Sequence, residues 1–173
     1  MIDSKVLLID DDAELLQLAT VIFKKEGAQV ITALDGMEAG ADDFLSKPFN
    51  ADILLARAKT VLRRSEHLKA PSDQFNYDNG HLSIDVARRD ALINNKRIKL
   101  TPVEFRLLTY LARNAGKVLT FEQILTNVWG NEYRGSMDYV HVYISHLRRK
   151  LGEDTKTPRY ILTLHGIGYI FEK

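Results

Sequence analysis

The stretch from Met137 to the chain's end constrains the fold most. Met137–Leu151 has helical spacing and is closed by Gly152. Two β-type segments follow, at 160–164 and 169–172, around the turn His165-Gly166-Ile167-Gly168. With Val140 as reference and about 100° per residue, Met137, Val140, Ile144, Leu147 and Leu151 share one stripe, which is expected to face a core. Asp138, Val142, Ser145, His146 and Arg149 take the other side. His141, Tyr139, Tyr143, Arg148 and Lys150 flank it. An ordinary solvated helix face is the plain reading. Two details favour a nucleic-acid groove. Val142 is apolar at the centre of the outward face, where thymine methyl groups would suit it. Cations cluster beside polar hydrogen-bonders, which suits phosphates and base edges. The closing hairpin is either a plain sheet edge or a wing that puts His165 near a minor groove.

The 173 residues fit one domain or two small ones, and 45% hydrophobic with 27% charged residues is ordinary for a globular chain. No apolar run approaches ~18 residues, and no secretory-type segment follows Met1, so a cytoplasmic location is expected. There are no cysteines, which excludes disulfides, thiolate metal sites and cysteine nucleophiles. The net charge of +1 hides an asymmetry. Residues 1–70 carry 9 Lys+Arg against 12 Asp+Glu; residues 71–173 carry 15 against 11. The basic half is the candidate for a polyanion partner.

The polar, proline-containing run at 66–74 reads as a linker between a domain at 1–65 and another at 75–173. In the first, 5–9 is an apolar run typical of a buried parallel strand, 13–26 is an amphipathic helix, and 29–33 is a second strand. A short helix at 35–43, a short strand at 44–46 and a long helix at 52–64 complete an α/β alternation. The second half opens with strand segments at 82–84, 90–93 and 97–100, with Asn94-Asn95 as a turn. Thr101, Pro102 and Glu104 form a helix start with a capping box. Thr120 and Gln123 form another.

Leu100-Thr101-Pro102-Val103-Glu104-Phe105-Arg106-Leu107-Leu108, the 140–151 helix and Gly166-Ile167-Gly168-Tyr169 resemble the winged-helix effector domain of OmpR/PhoB-type response regulators. The resemblance implies a four-stranded amino-terminal sheet, three helices and a wing, with double-stranded DNA as partner. It assigns DNA contacts to Tyr139, His141, Val142, Tyr143, Ser145, His146, Arg148, Arg149, Thr163 and His165. It also implies that the 130–136 loop faces RNA polymerase. His146, His165 and Asp138 stand where relatives commonly carry basic residues. Weaker binding at pH 7 is expected, tightening as pH falls through roughly 6.5, the reference histidine value.

The first half resembles the two ends of a receiver domain. Leu8-Ile9-Asp10-Asp11 is similar to the acidic pair that holds Mg²⁺ in that family. Lys47-Pro48-Phe49 is similar to the motif carrying its lysine. Gly36-Met37-Glu38-Ala39 runs directly into Gly40-Ala41-Asp42-Asp43, and no Asp aligns with the phospho-acceptor. Acyl-phosphate formation needs an Asp nucleophile beside a metal. Asp10–Asp12 therefore read first as a helix cap paired with Lys47, with only a vestigial Mg²⁺ site at Asp10 and Asp11 and no other cofactor. A receiver orders its strands 2-1-3-4-5. Losing two leaves a three-stranded parallel sheet with both long helices on one face, which keeps right-handed crossovers. The resemblance further implies a dimer through Asp42, Asp43, Ile53, Arg57 and Arg64.

The expected activity is non-enzymatic: a phosphorylation-independent, dimeric, DNA-binding transcriptional regulator. The alternative is an interaction protein, blind to phosphorylation, that pairs with full-length response regulators or a sensor kinase.

Overall fold

The computed structural model describes residues 4–34, 42, 43, 45, 47–66, 74–133, 135–154 and 156–172, without the side chains at 63–66 and 132. The chain divides into two units, Met1–Lys69 and Ala70–Lys173.

In the first unit, β1 (Lys5–Ile9) pairs in parallel with β2 (Gln29–Ala33). Between them lies α1 (Ala13–Lys25), and α2 (Ala51–Glu66) closes the unit. The acidic run starts α1: the Asp12 carboxylate accepts from the Glu14 and Leu15 amides, satisfying two of the helix's open donors. Alternation sends Val6, Leu8 and Val30 to one sheet face. There Phe23 and Ala28 are buried, and Leu54, Leu55, Ala58 and Leu62 of α2 pack on the same cluster. Both long helices thus share one face, as expected. Ile53 and Ala56 of α2 are exposed, whereas Leu55 turns inward. Most of the expected short helix at 35–43 and strand at 44–46 lies outside the described residues, as do residues 67–73 of the expected linker.

The second unit opens with an antiparallel sheet of four strands in sequential order: β3 (Gln74–Tyr77), β4 (Leu82–Asp85), β5 (Asp90–Ile93) and β6 (Lys96–Arg97). Asn94 and Asn95 both have left-handed backbone, φ 49 and 61, and so turn the β5–β6 hairpin in two residues. The last strand is shorter than expected. Ile98 donates one more bond to the Ala91 carbonyl, and the chain then leaves the ladder to begin α3 (Pro102–Arg113). Both capping boxes form, at Thr101–Glu104 and Thr120–Gln123. The second starts α4 (Phe121–Val128) directly after β7 (Val118–Thr120). One turn of 3-10 helix, Asn131–Tyr133, leads to α5 (Met137–Leu151), closed by Gly152 at φ 70. Then β8 (Ile161–Leu164) and β9 (Gly168–Phe171) form the carboxy-terminal hairpin, and β7 joins it in the order β7-β9-β8.

One core holds this unit together. Leu82, Ile84 and Ala91 of the first sheet, Leu107, Leu108 and Leu111 of α3, and Val140, Ile144 and Leu147 of α5 are all buried in it. The Tyr77 hydroxyl donates to the Ala112 carbonyl at 2.9 Å, and its ring meets Phe171 edge-on at 5.0 Å, fastening the first sheet to α3 and the hairpin.

Candidate nucleic-acid interface

The outward face of α5 carries His141, Val142, Ser145 and Arg149, all exposed, with His146 half-buried at its margin. The α5 core side is wider than one stripe. Tyr139 is only 5% exposed and Tyr143 only 3%, because Trp129 and Tyr133 stack edge-on against that flank. Arg148, 8% exposed, is buried on the other flank, where the hairpin covers it. Tyr139, Tyr143 and Arg148 therefore leave the expected set of outward contacts: their side chains pack inside the unit. Met137 is the reverse correction. It falls within the core stripe but lies in the first turn, beyond the packing elements, and is exposed.

Only one of the three cations at 148–150 points freely outward. The Arg148 guanidinium donates to the Ile161 carbonyl and, at 2.8 Å, to the Thr163 hydroxyl, and it lies over the Tyr169 ring at 5.5 Å. Lys150 donates to the Glu104 carboxylate at 2.6 Å; Glu104 is buried and also accepts from the Thr101 amide. Arg149 is the exposed one. Thr163 is thus first an acceptor for Arg148.

The hairpin is braced against α5 from its second strand too. The Tyr169 hydroxyl and His141 Nδ1 share a hydrogen bond at 2.9 Å, and Phe121 packs on both rings. Burial raises the Tyr169 phenol above its ordinary range, so it stays protonated. His165, Gly166 and Ile167 form the exposed tip. Gly168 sits where the hairpin crosses β7: a Cβ there would lie 1.9 Å from the Leu119 carbonyl oxygen. The exposed α5 face and the hairpin with its exposed tip are thus tied together through His141 and Tyr169. In the 130–136 loop, Tyr133 is buried and anchors the turn, while Arg134 lies outside the described residues.

In the first unit, Asp10 Oδ1 takes the Lys47 ammonium at 2.6 Å and the Asp12 amide at 2.9 Å. The lysine holds the Asp10 carboxyl below the ordinary carboxylate range, and Asp10 in turn raises Lys47. Asp11 is 3.8 Å from Lys47, and its side chain is 96% exposed. Of the two acids that the resemblance implies for Mg²⁺, Asp10 is thus engaged by an ammonium and Asp11 is turned to solvent. Asp43 Oδ2 pairs with Arg57 Nη1 of the same chain at 3.8 Å. Two charges that the resemblance places between subunits thus meet within one chain. Ile53 is exposed, and the Arg64 side chain lies outside the described residues.

The second unit has the architecture of a winged-helix protein: a three-helix core with an outward-facing third helix and a hairpin beside it. The family described as "Transcriptional regulatory protein, C terminal" matches residues 95–171. The chain is 43% identical over 148 residues to the KDP operon transcriptional regulatory protein KdpE of Escherichia coli, covering 86% of this chain and 64% of that one. It is 39% identical over 137 residues to the sensory transduction protein RegX3 of Mycobacterium leprae, covering 79% and 69%. Among solved structures, the Klebsiella pneumoniae RstA DNA-binding domain in complex with RstA box matches 58% of this chain and 97% of its own (TM-score 0.54, 30% identity). The response regulator DrrB of Thermotoga maritima, an OmpR/PhoB homolog, matches 99% and 100% (TM-score 0.52, 27% identity). The chain belongs to the OmpR/PhoB-type response regulators. It spans less than two thirds of the length of KdpE. Among the described residues, no helix is long and apolar enough to cross a membrane.

Proposed function

We propose that this chain is a DNA-binding transcriptional regulator whose shortened receiver no longer takes phosphate, so that it acts without a phosphorylation signal and as a homodimer. The observation that carries the reading is the exposed α5 face, His141, Val142, Ser145 and Arg149, tied through His141 to Tyr169 of the hairpin whose exposed tip carries His165. This face suits a major groove, with Val142 toward thymine methyls and Arg149 toward phosphate or guanine. The hairpin tip suits the adjacent minor groove. KdpE is by name an operon regulator, and the RstA domain was solved on its DNA box, which supports the same role here.

Loss of phosphate chemistry follows from the residues. No Asp matches the family's acceptor, and Lys47 pairs with Asp10, so at most weak Mg²⁺ affinity remains at Asp10 and Asp11. RNA polymerase is the partner proposed for the 130–136 loop. A sensor kinase or a full-length regulator is the partner if the chain instead modulates relatives without reading DNA.

The test is selection of bound duplexes from a random library, followed by mobility shifts with and without a small-molecule phosphodonor and Mg²⁺. Recovery of a repeated half-site with unchanged affinity supports the reading. Failure to enrich any sequence overturns the DNA role. An affinity that rises with phosphodonor overturns the loss of phosphate chemistry.

A further inference from the structure

The dimer in the proposed function has no surface yet, and α1 supplies one. Its core side is Leu16, Ala19 and Phe23. Roughly opposite, at about 100° per residue, Glu14, Leu18, Val21 and Lys25 fall on one narrow stripe. All four are exposed, Leu18 to 60% and Val21 to 52%. A single exposed leucine on a helix is ordinary. Two adjacent aliphatic side chains at alternating four- and three-residue spacing, with an acid one step before and a base one step after, form the short seam on which two helices pack.

We infer that α1 pairs with α1 of a second copy, antiparallel and about a two-fold axis. The sequence fixes that geometry. In an antiparallel pair centred between Leu18 and Val21, each Leu18 meets the partner's Val21. Each Glu14 then meets the partner's Lys25, so the apolar centre is flanked by two opposite-charge pairs. A parallel pair would set Glu14 against Glu14 and Lys25 against Lys25. The occupant is therefore a second copy, because the stripe is complementary to itself in one orientation only. The α2 face is the weaker candidate: Asp43 and Arg57 already pair within one chain there. Glu14 in the first turn and Lys25 in the last also suit the helix dipole of an isolated α1, and the test separates this account from pairing.

The experiment is sedimentation equilibrium of the full chain, with circular dichroism to check helix content and a mobility shift to read DNA binding separately. Leu18→Asp is expected to give a monomer. Glu14→Lys is expected to weaken the dimer roughly tenfold by setting lysine against lysine twice. Glu14→Lys combined with Lys25→Glu is expected to restore it to within about threefold. The dipole account predicts the opposite order, with the double variant worst. Ile53→Asp on α2 is expected to leave the dimer intact. A double variant no better than Glu14→Lys alone, a dimer lost through Ile53→Asp but not Leu18→Asp, or a wild-type monomer at every concentration each overturns the inference. A wild-type monomer that still shifts DNA overturns it without touching the DNA role.

Discussion

Single residues decide how the hairpin is held against α5. Gly168 is there because its neighbour is backbone: a Cβ would lie 1.9 Å from the Leu119 carbonyl, and its φ of 158 disfavours any side chain. Gly168→Ala should force β7 and β9 apart and cost about 3 kcal/mol or more in urea unfolding. Gly166→Ala is the control: it has left-handed φ of 73 but nothing within 4 Å, so it should cost only about 1 kcal/mol. Equal losses would show that backbone conformation, not crowding, makes glycine necessary at 168. Arg148 offers a second case. Lysine keeps the charge but not the planar guanidinium that lies over Tyr169 while one nitrogen, Nη2, donates to both the Ile161 carbonyl and the Thr163 hydroxyl. Arg148→Lys should raise amide exchange across β8 and cost about 2 kcal/mol. Unchanged exchange in β8 would show that this arginine is not the brace.

At the scale of elements, the α3 start and the α5 end are tied through one buried carboxylate. Glu104 completes the capping box and takes Lys150 from the last turn of α5. Lys150→Met would strand that carboxylate and should destabilise the second unit by about 3 kcal/mol. Adding Glu104→Gln, which removes the stranded charge, should recover part of the loss; no recovery would mean the cost is lost packing of the lysine stem. The capping signals are local in sequence, so both boxes, the Asn94-Asn95 turn and the Gly152 stop are legible in the sequence alone. The reading face of α5 was legible only in part. A helical wheel predicts one core stripe, but α5 is covered on two flanks, by Trp129 and by the hairpin. The buried arc is about half its circumference and takes in Tyr139, Tyr143 and Arg148. Nothing within 137–151 announces that second cover; it depends on where Trp129 and Thr163 arrive from elsewhere in the chain. In the first unit, the Asp10–Lys47 pair ties the end of β1 to the segment before α2. Asp10 is depressed by Lys47, so its contribution to stability is present above the unfolded carboxylate value and fades as pH falls through the lower folded one. Lys47→Met should move the Asp10 titration, followed by carboxyl-carbon NMR, back up toward the ordinary range. An unmoved titration would put the depression down to the Asp12 amide instead.

For the whole molecule, the balance between stability and DNA contact is set by which cations the fold keeps for itself. Arg148 and Lys150 brace the winged unit, which leaves Arg149 as the outward arginine of α5. A reading surface with few outward cations should show a shallow dependence of affinity on salt, because each neutralised phosphate contributes about −0.9 to the slope of log K against log salt. Arg149→Ala should then flatten that slope by roughly one unit per protomer if it meets a phosphate, weakening all duplexes alike. If it reads a guanine, the slope should hardly move, and discrimination against the wrong base should fall by about 1–3 kcal/mol.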